Sequence, residues 1–122
     1  MSRDRALKVV LVLLGLLFSA GVYPLMVFVK QDPALAMMMS LYVTLGIFLL
    51  LAARNPSANR SLIAFTAWLS FAHAAIMTVQ ASLNLIPRRE LMGVGFFVVV
   101  GVVLIVLAPA KQSGERVSAA VA

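Results

Sequence analysis

The chain has 122 residues, 63% of them hydrophobic and 11% charged, with a formal net charge of +6 and no cysteine. Soluble domains carry about 45–50% apolar residues, so this composition belongs in a bilayer rather than in water. The Lys and Arg residues stand at the ends of apolar runs, not along a stripe with interleaved aromatics. That excludes nucleic acid as a partner and leaves the lipid bilayer. Without cysteine there are no disulfides, iron–sulfur clusters or thiol chemistry.

A basic head with Arg3, Asp4, Arg5 and Lys8 precedes a charge-free run from Val9 to Val29. At 1.5 Å per residue, about 21 residues cover a hydrocarbon core of ~30 Å. Pro24 removes a backbone hydrogen bond and predicts a kink near Ala20, with Tyr23 placed for an interface. A secretory signal ending at Ser19, Ala20 and Gly21 is the competing reading, but the apolar run continues past those small residues.

After a polar break at Lys30–Pro33, Leu35 to Ala53 makes a second crossing. Its Met37, Met38 and Met39 point in three directions on a helix, so they read as packing residues rather than a metal box. Asn55 and Pro56 fit an N-cap and first-turn proline for the third helix. The short connection predicts that the second and third helices are antiparallel neighbours. The fourth crossing, Leu91 to Ala108, has no polar side chain, and Gly93, Gly95 and Gly101 permit close backbone approach.

These boundaries, about 7–29, 34–54, 57–86 and 91–108, predict an all-α membrane four-helix bundle with up-down-up-down topology, followed by a disordered cytoplasmic tail at 111–122. On alternate sides, Arg3, Arg5, Lys8, Arg54, Arg60, Lys111 and Arg116 oppose Lys30, Arg88 and Arg89. The excess of positive charge on the first side predicts that both termini are cytoplasmic.

The third helix differs from the others. Thr66, Ser70, His73, Met77, Gln80 and Asn84 recur every three or four residues and, at about 100° per residue, share one face. Phe65, Trp68, Phe71, Ile76, Val79 and Leu83 occupy the other. Lipid offers no hydrogen-bond partner, so the polar face is expected to turn inward. Tyr42, Thr44 and Ser40 on the second helix are its expected partners, with Tyr42 level with Gln80 and Thr44 closer to His73. The expected ligand-binding set is therefore His73, Gln80, Tyr42, Thr44, Ser70 and Asn84. If these groups bond across helices, each bond contributes about 0.6 kcal/mol, and His73→Leu or Gln80→Leu lowers stability. Ser70, Ala74, Thr78 and Ser82 form a second face of small residues, suited to close contact within the bundle or between copies.

Asp4, Asp32, Glu90 and Glu115 all lie in termini or loops. The chain resembles the small multidrug transporters in size and helix count, but those depend on a glutamate within the first helix, and Val9–Val29 has none. One histidine and no intramembrane carboxylate cannot build a catalytic triad or a tetrahedral metal site. Haem held by two histidines needs a second chain, so no cofactor or metal is expected.

The segments Leu41-Tyr42-Val43-Thr44-Leu45-Gly46, Ala52-Ala53-Arg54-Asn55-Pro56, Arg60 to Trp68, and Phe71-Ala72-His73-Ala74 with Gln80 resemble a group of small bacterial four-helix membrane proteins of unknown function. The resemblance implies a bacterial inner-membrane location with no assigned activity. That group often carries a Gly-Asp pair before the last helix. Gly93 is followed by Val94 here, so no role resting on that acid carries over. A looser likeness to DoxX-type proteins rests on size and hydropathy. The expectation is a non-enzymatic structural or small-ligand-binding bundle. The alternatives are a homo-oligomeric solute channel or carrier and an accessory subunit of a membrane redox complex.

Overall fold

The computed structural model describes residues 2–109. Within them the regular structure is helical: α1 (Arg3–Ala20), α2 (Val22–Gln31), α3 (Pro33–Ala52), α4 (Arg60–Ser82) and α5 (Leu91–Leu107), with 3-10 turns at Pro56–Asn59 and Arg88–Glu90. Consecutive α1 and α2 make one crossing. Together with α3, α4 and α5 this gives four helical segments long and apolar enough to cross a membrane. The outer surface fits that solvent, since Leu13, Met26, Leu41, Trp68 and Met92 are all exposed. The tail expected at 111–122 lies outside the described residues.

Local chemistry sets the helix ends. Ser2 caps α1 by accepting from the Arg5 amide at 3.2 Å, so the helix starts earlier than residue 7. Asp32 accepts from the Leu35 amide at 3.2 Å, and Pro33 opens α3. Asn55 accepts from the Ala58 amide at 3.3 Å and starts the turn before α4. The expected kink near Ala20 is a break at Gly21, whose N–H turns back to the Phe18 carbonyl at 3.1 Å. Pro24 accounts for it, because it leaves the carbonyl four residues earlier without its donor.

The third crossing ends sooner than expected, at Ser82 rather than near Ile86. Asn84 has φ +60°, the Leu85 amide donates to the Gln80 carbonyl at 2.8 Å, and the Asn84 amide donates to Ala81 at 3.1 Å. This is a Schellman stop with asparagine in the left-handed position that usually takes glycine. Periodicity places Asn84 on the polar face. Its backbone places it beyond the helix.

Pairing also departs from expectation. The second crossing packs on the first and the third packs on the fourth, so the bundle is two hairpins, α1–α2–α3 and α4–α5. Contact between α3 and α4 is slight, which corrects the view of them as close neighbours. Glycines draw the first hairpin together. A Cβ on Gly46 would stand 2.6 Å from the Ser19 backbone nitrogen, and one on Gly15 would stand 2.9 Å from the Gly46 carbonyl oxygen. In the second hairpin Phe71 lies over Gly101, where a Cβ would meet its ring at 2.5 Å. The small positions Ala67, Ser70, Ala74 and Ala81 of α4 are buried there.

The two hairpins meet at the basal end, where the chain begins. The Arg3 guanidinium donates to the Ala108 carbonyl, and Arg60 Nε donates to the Pro109 carbonyl at 2.6 Å. The starts of α1 and α4 and the end of α5 thus share one end, which gives the up-down-up-down order. Leu7, Leu11, Leu49, Ile63, Ala67 and Leu104 fill the core between them, and all are essentially inaccessible. Toward the opposite end, α2 follows α3 and makes no close approach to α4 or α5. The bundle is therefore closed below and parted above.

Candidate functional site

The parting creates a vestibule of about 810 Å³ between the hairpins. Asp32, Pro87 and Glu90 stand at the loop end of its lining, Gln80 and Met77 line its α4 side, and Tyr42, His73 and Phe97 line it deeper in the bundle. Tyr42 lies ten residues into α3, about 15 Å from Asp32 at 1.5 Å per residue, so this floor is near the middle of the crossings. A second, lateral groove of about 540 Å³ runs between α3 and α4, with an almost wholly apolar lining that includes Leu41, Phe48, Phe65, Leu69 and Ile76. The vestibule and the groove share Met38, Tyr42 and His73.

Each of the four crossings gives one aromatic ring to the floor. The Tyr42 ring centroid is 5.2 Å from that of Phe18, 5.6 Å from the His73 imidazole and 5.9 Å from Phe97, and His73 lies 4.5 Å from Phe97. Most of these contacts are edge-to-face, the arrangement that ring quadrupoles favour. Packing of rings, not of polar groups, holds the crossings together here. Tyr42 therefore lies level with His73 rather than with Gln80, a shift of about two helical turns from the expected register.

The polar face of α4 is turned inward as a whole. Thr66 and Ser70 are fully buried, His73, Met77 and Gln80 are half-buried, and Phe65, Trp68, Ile76, Val79 and Leu83 are exposed. Its hydroxyls, however, do not reach another helix. Thr66 donates to the Leu62 carbonyl at 2.8 Å and Ser70 to the Thr66 carbonyl at 2.8 Å. Thr78 and Ser82 repeat the pattern about two and three turns beyond Ser70, and Thr44 donates to the Ser40 carbonyl at 3.0 Å. A helix in an apolar medium can satisfy short hydroxyls this way without a neighbour. Longer polar groups have no such recourse. The His73 imidazole and the Gln80 carboxamide make no hydrogen bond to another described residue, and the Tyr42 hydroxyl is enclosed with no partner.

Of the expected set, the structure brings Tyr42 and His73 into contact and places Gln80 on the same vestibule. Thr44 lines the lateral groove with its hydroxyl already engaged. Ser70 is buried within the packing of α4, and Asn84 is an exposed cap residue. Neither of the last two lines the vestibule or the groove. Phe18 and Phe97 escape sequence reasoning, because an aromatic in an apolar run has no periodic or polar signature that separates it from lipid-facing neighbours. Among the described residues no three of His, Asp and Glu gather as metal ligands would.

No curated protein and no solved structure matches the chain. One family does, over residues 2–120, nearly the full length. The chain accordingly belongs to DUF6632, a family of unknown function.

Proposed function

We propose that this is a non-enzymatic membrane protein that binds a small ligand between its two hairpins, against Tyr42, His73 and Gln80. One observation carries the reading: these three polar side chains line one open vestibule, and none of them bonds to another described residue. Polar groups kept in an apolar interior only as interhelical glue would be bonded to one another. A pocket of several hundred Å³ with mostly apolar walls and a few convergent polar groups has the form of a ligand site. The distribution of Lys and Arg supports placing the basal end, with both termini, in the cytoplasm, and a bacterial inner membrane is the membrane we assign.

The test is recovery of the ligand. Protein purified in mild detergent is extracted with organic solvent, and the extract is compared by mass spectrometry with that of His73→Trp, which fills the vestibule floor. The expected result is one compound near equimolar with the wild-type chain and missing from the variant. Identical extracts from both would refute the reading.

The channel or carrier alternative requires several copies. Within one chain the vestibule stops at the aromatic floor, and Leu11, Leu49, Ile63 and Leu104 are packed on its basal side. Any path for solute would run between protomers.

A further inference from the structure

We propose that the vestibule and the lateral groove are one site for a single-tailed amphiphile. Its flat, uncharged, carbonyl-bearing head seats against Tyr42 and His73, and its apolar tail lies between α3 and α4. The proposal rests on the ligand-binding reading above and adds the chemistry of the ligand.

The tail follows from where the groove lies. It runs along α4 from Ile76 to Leu62, about 21 Å at 1.5 Å per residue, some two-thirds of a ~30 Å hydrocarbon core. It opens sideways between α3 and α4, which scarcely touch, so an apolar chain enters it from the bilayer without crossing water. Its one lining hydroxyl short of the floor, on Thr44, is already bonded to Ser40, so nothing along it calls for a polar partner. The space is a single channel between one pair of helices, which suits one tail rather than two.

The head follows from the floor, where the groove meets the vestibule. His73 offers an imidazole N–H and Gln80 a carboxamide N–H, both without acceptors among the described residues, while the Tyr42 hydroxyl beside them is enclosed. Carbonyl oxygens are the complement of such donors. The walls of the floor are rings, Phe18 and Phe97 beside Tyr42 and His73, and a flat ring is a guest that aromatic walls can pack against. Charge excludes one class of lipid. Among the described residues the vestibule is lined by Asp32 and Glu90 and by no Lys or Arg, while Lys30, Arg88 and Arg89 at the same end stay outside its lining. A phosphate head would face two carboxylates with no cation to receive it. A flat dicarbonyl ring on an alkyl or prenyl tail, the chemistry of a lipid quinone, meets all three conditions, and binding is all that is inferred.

The test uses the full chain in phosphatidylcholine nanodiscs and a benzoquinone bearing a decyl tail that ends in a diazirine. After photolysis, peptide mass spectrometry is expected to find saturable labelling at Leu41, Phe48, Phe65 or Leu69, competed by the unlabelled decyl quinone and not by an anionic lysophosphatidylglycerol. His73→Phe, which keeps a ring and removes the donor, is expected to weaken competition roughly fivefold to tenfold, the scale of one hydrogen bond. Ala72→Phe, which plugs the groove, is expected to abolish the labelling. Labelling that is not saturable and spreads over the lipid-facing sides of α1 and α5 overturns the proposal. If a decyl trimethylammonium competes and the quinone does not, the head is wrongly assigned here while the ligand reading stands. If none of the three amphiphiles competes and the solvent extracts of wild type and His73→Trp are identical, both fail.

Discussion

The basal and open halves of this bundle use the same four crossings in opposite ways. In the basal half, leucines and alanines fill the core between the hairpins, and arginines from α1 and the start of α4 reach the last carbonyls of the described chain. In the open half α2 stays with α3 and leaves α5, and the space between holds the polar side chains. The difference turns on a few residues at the break, Gly21 and Pro24, which let one crossing change direction halfway. Lipid tails are as apolar as leucine, so helices in a bilayer associate through fit rather than through exclusion of water. Where the fit ends, the helices part. A membrane protein can therefore reserve a pocket by withholding small, matched surfaces, without building a wall around it.

That contrast can be broken by substitution. Gly46→Leu should have the largest effect, a loss of at least about 3 kcal/mol, because the new side chain meets the Ser19 backbone, which cannot swing aside. Unfolding in mixed micelles with increasing dodecyl sulfate, followed by circular dichroism, reads it. A variant as stable as wild type would mean that α1 and α3 do not meet at these glycines. Leu49→Ala, which empties a fully buried basal position, should cost about 2 kcal/mol in the same titration. Gly101→Ala should cost about 1 kcal/mol, since the atoms it meets belong to the Phe71 ring, which can turn.

The smallest effect sharpens the comparison most. Gln80→Leu should change stability by no more than about 0.5 kcal/mol, because its carboxamide bonds to no other described residue. This revises the expectation, drawn from periodicity, that loss of the polar face weakens the bundle. A loss above about 1 kcal/mol would show that Gln80 is tied to another helix after all. Equal losses for Leu49→Ala and Gln80→Leu would erase the distinction between the two halves.

Composition, run length and periodicity were enough for the helical class, the number of crossings, the break near Ala20 and the inward turn of the Thr66–Gln80 face. Those properties depend on the chain's immediate neighbours and on the solvent, and a bilayer enforces them strictly, since every backbone group must be satisfied within its own helix. Asn84 was misread because a face projected at 100° per residue does not show where a helix stops, and its stop is written in one backbone angle.

The tertiary structure alone decided which helices pair, that Tyr42 stands level with His73, and that Phe18 and Phe97 complete the floor. Helix pairing in lipid depends on the summed contacts of surfaces far apart in the chain, and Gly15 against Gly46 or Phe71 against Gly101 is visible only once the backbones are side by side. The same holds for the site. Thr66, Ser70, His73 and Gln80 look alike as a polar stripe, but short hydroxyls can bond back to their own helix, whereas an imidazole or a carboxamide needs a neighbour, and here the neighbours stand apart.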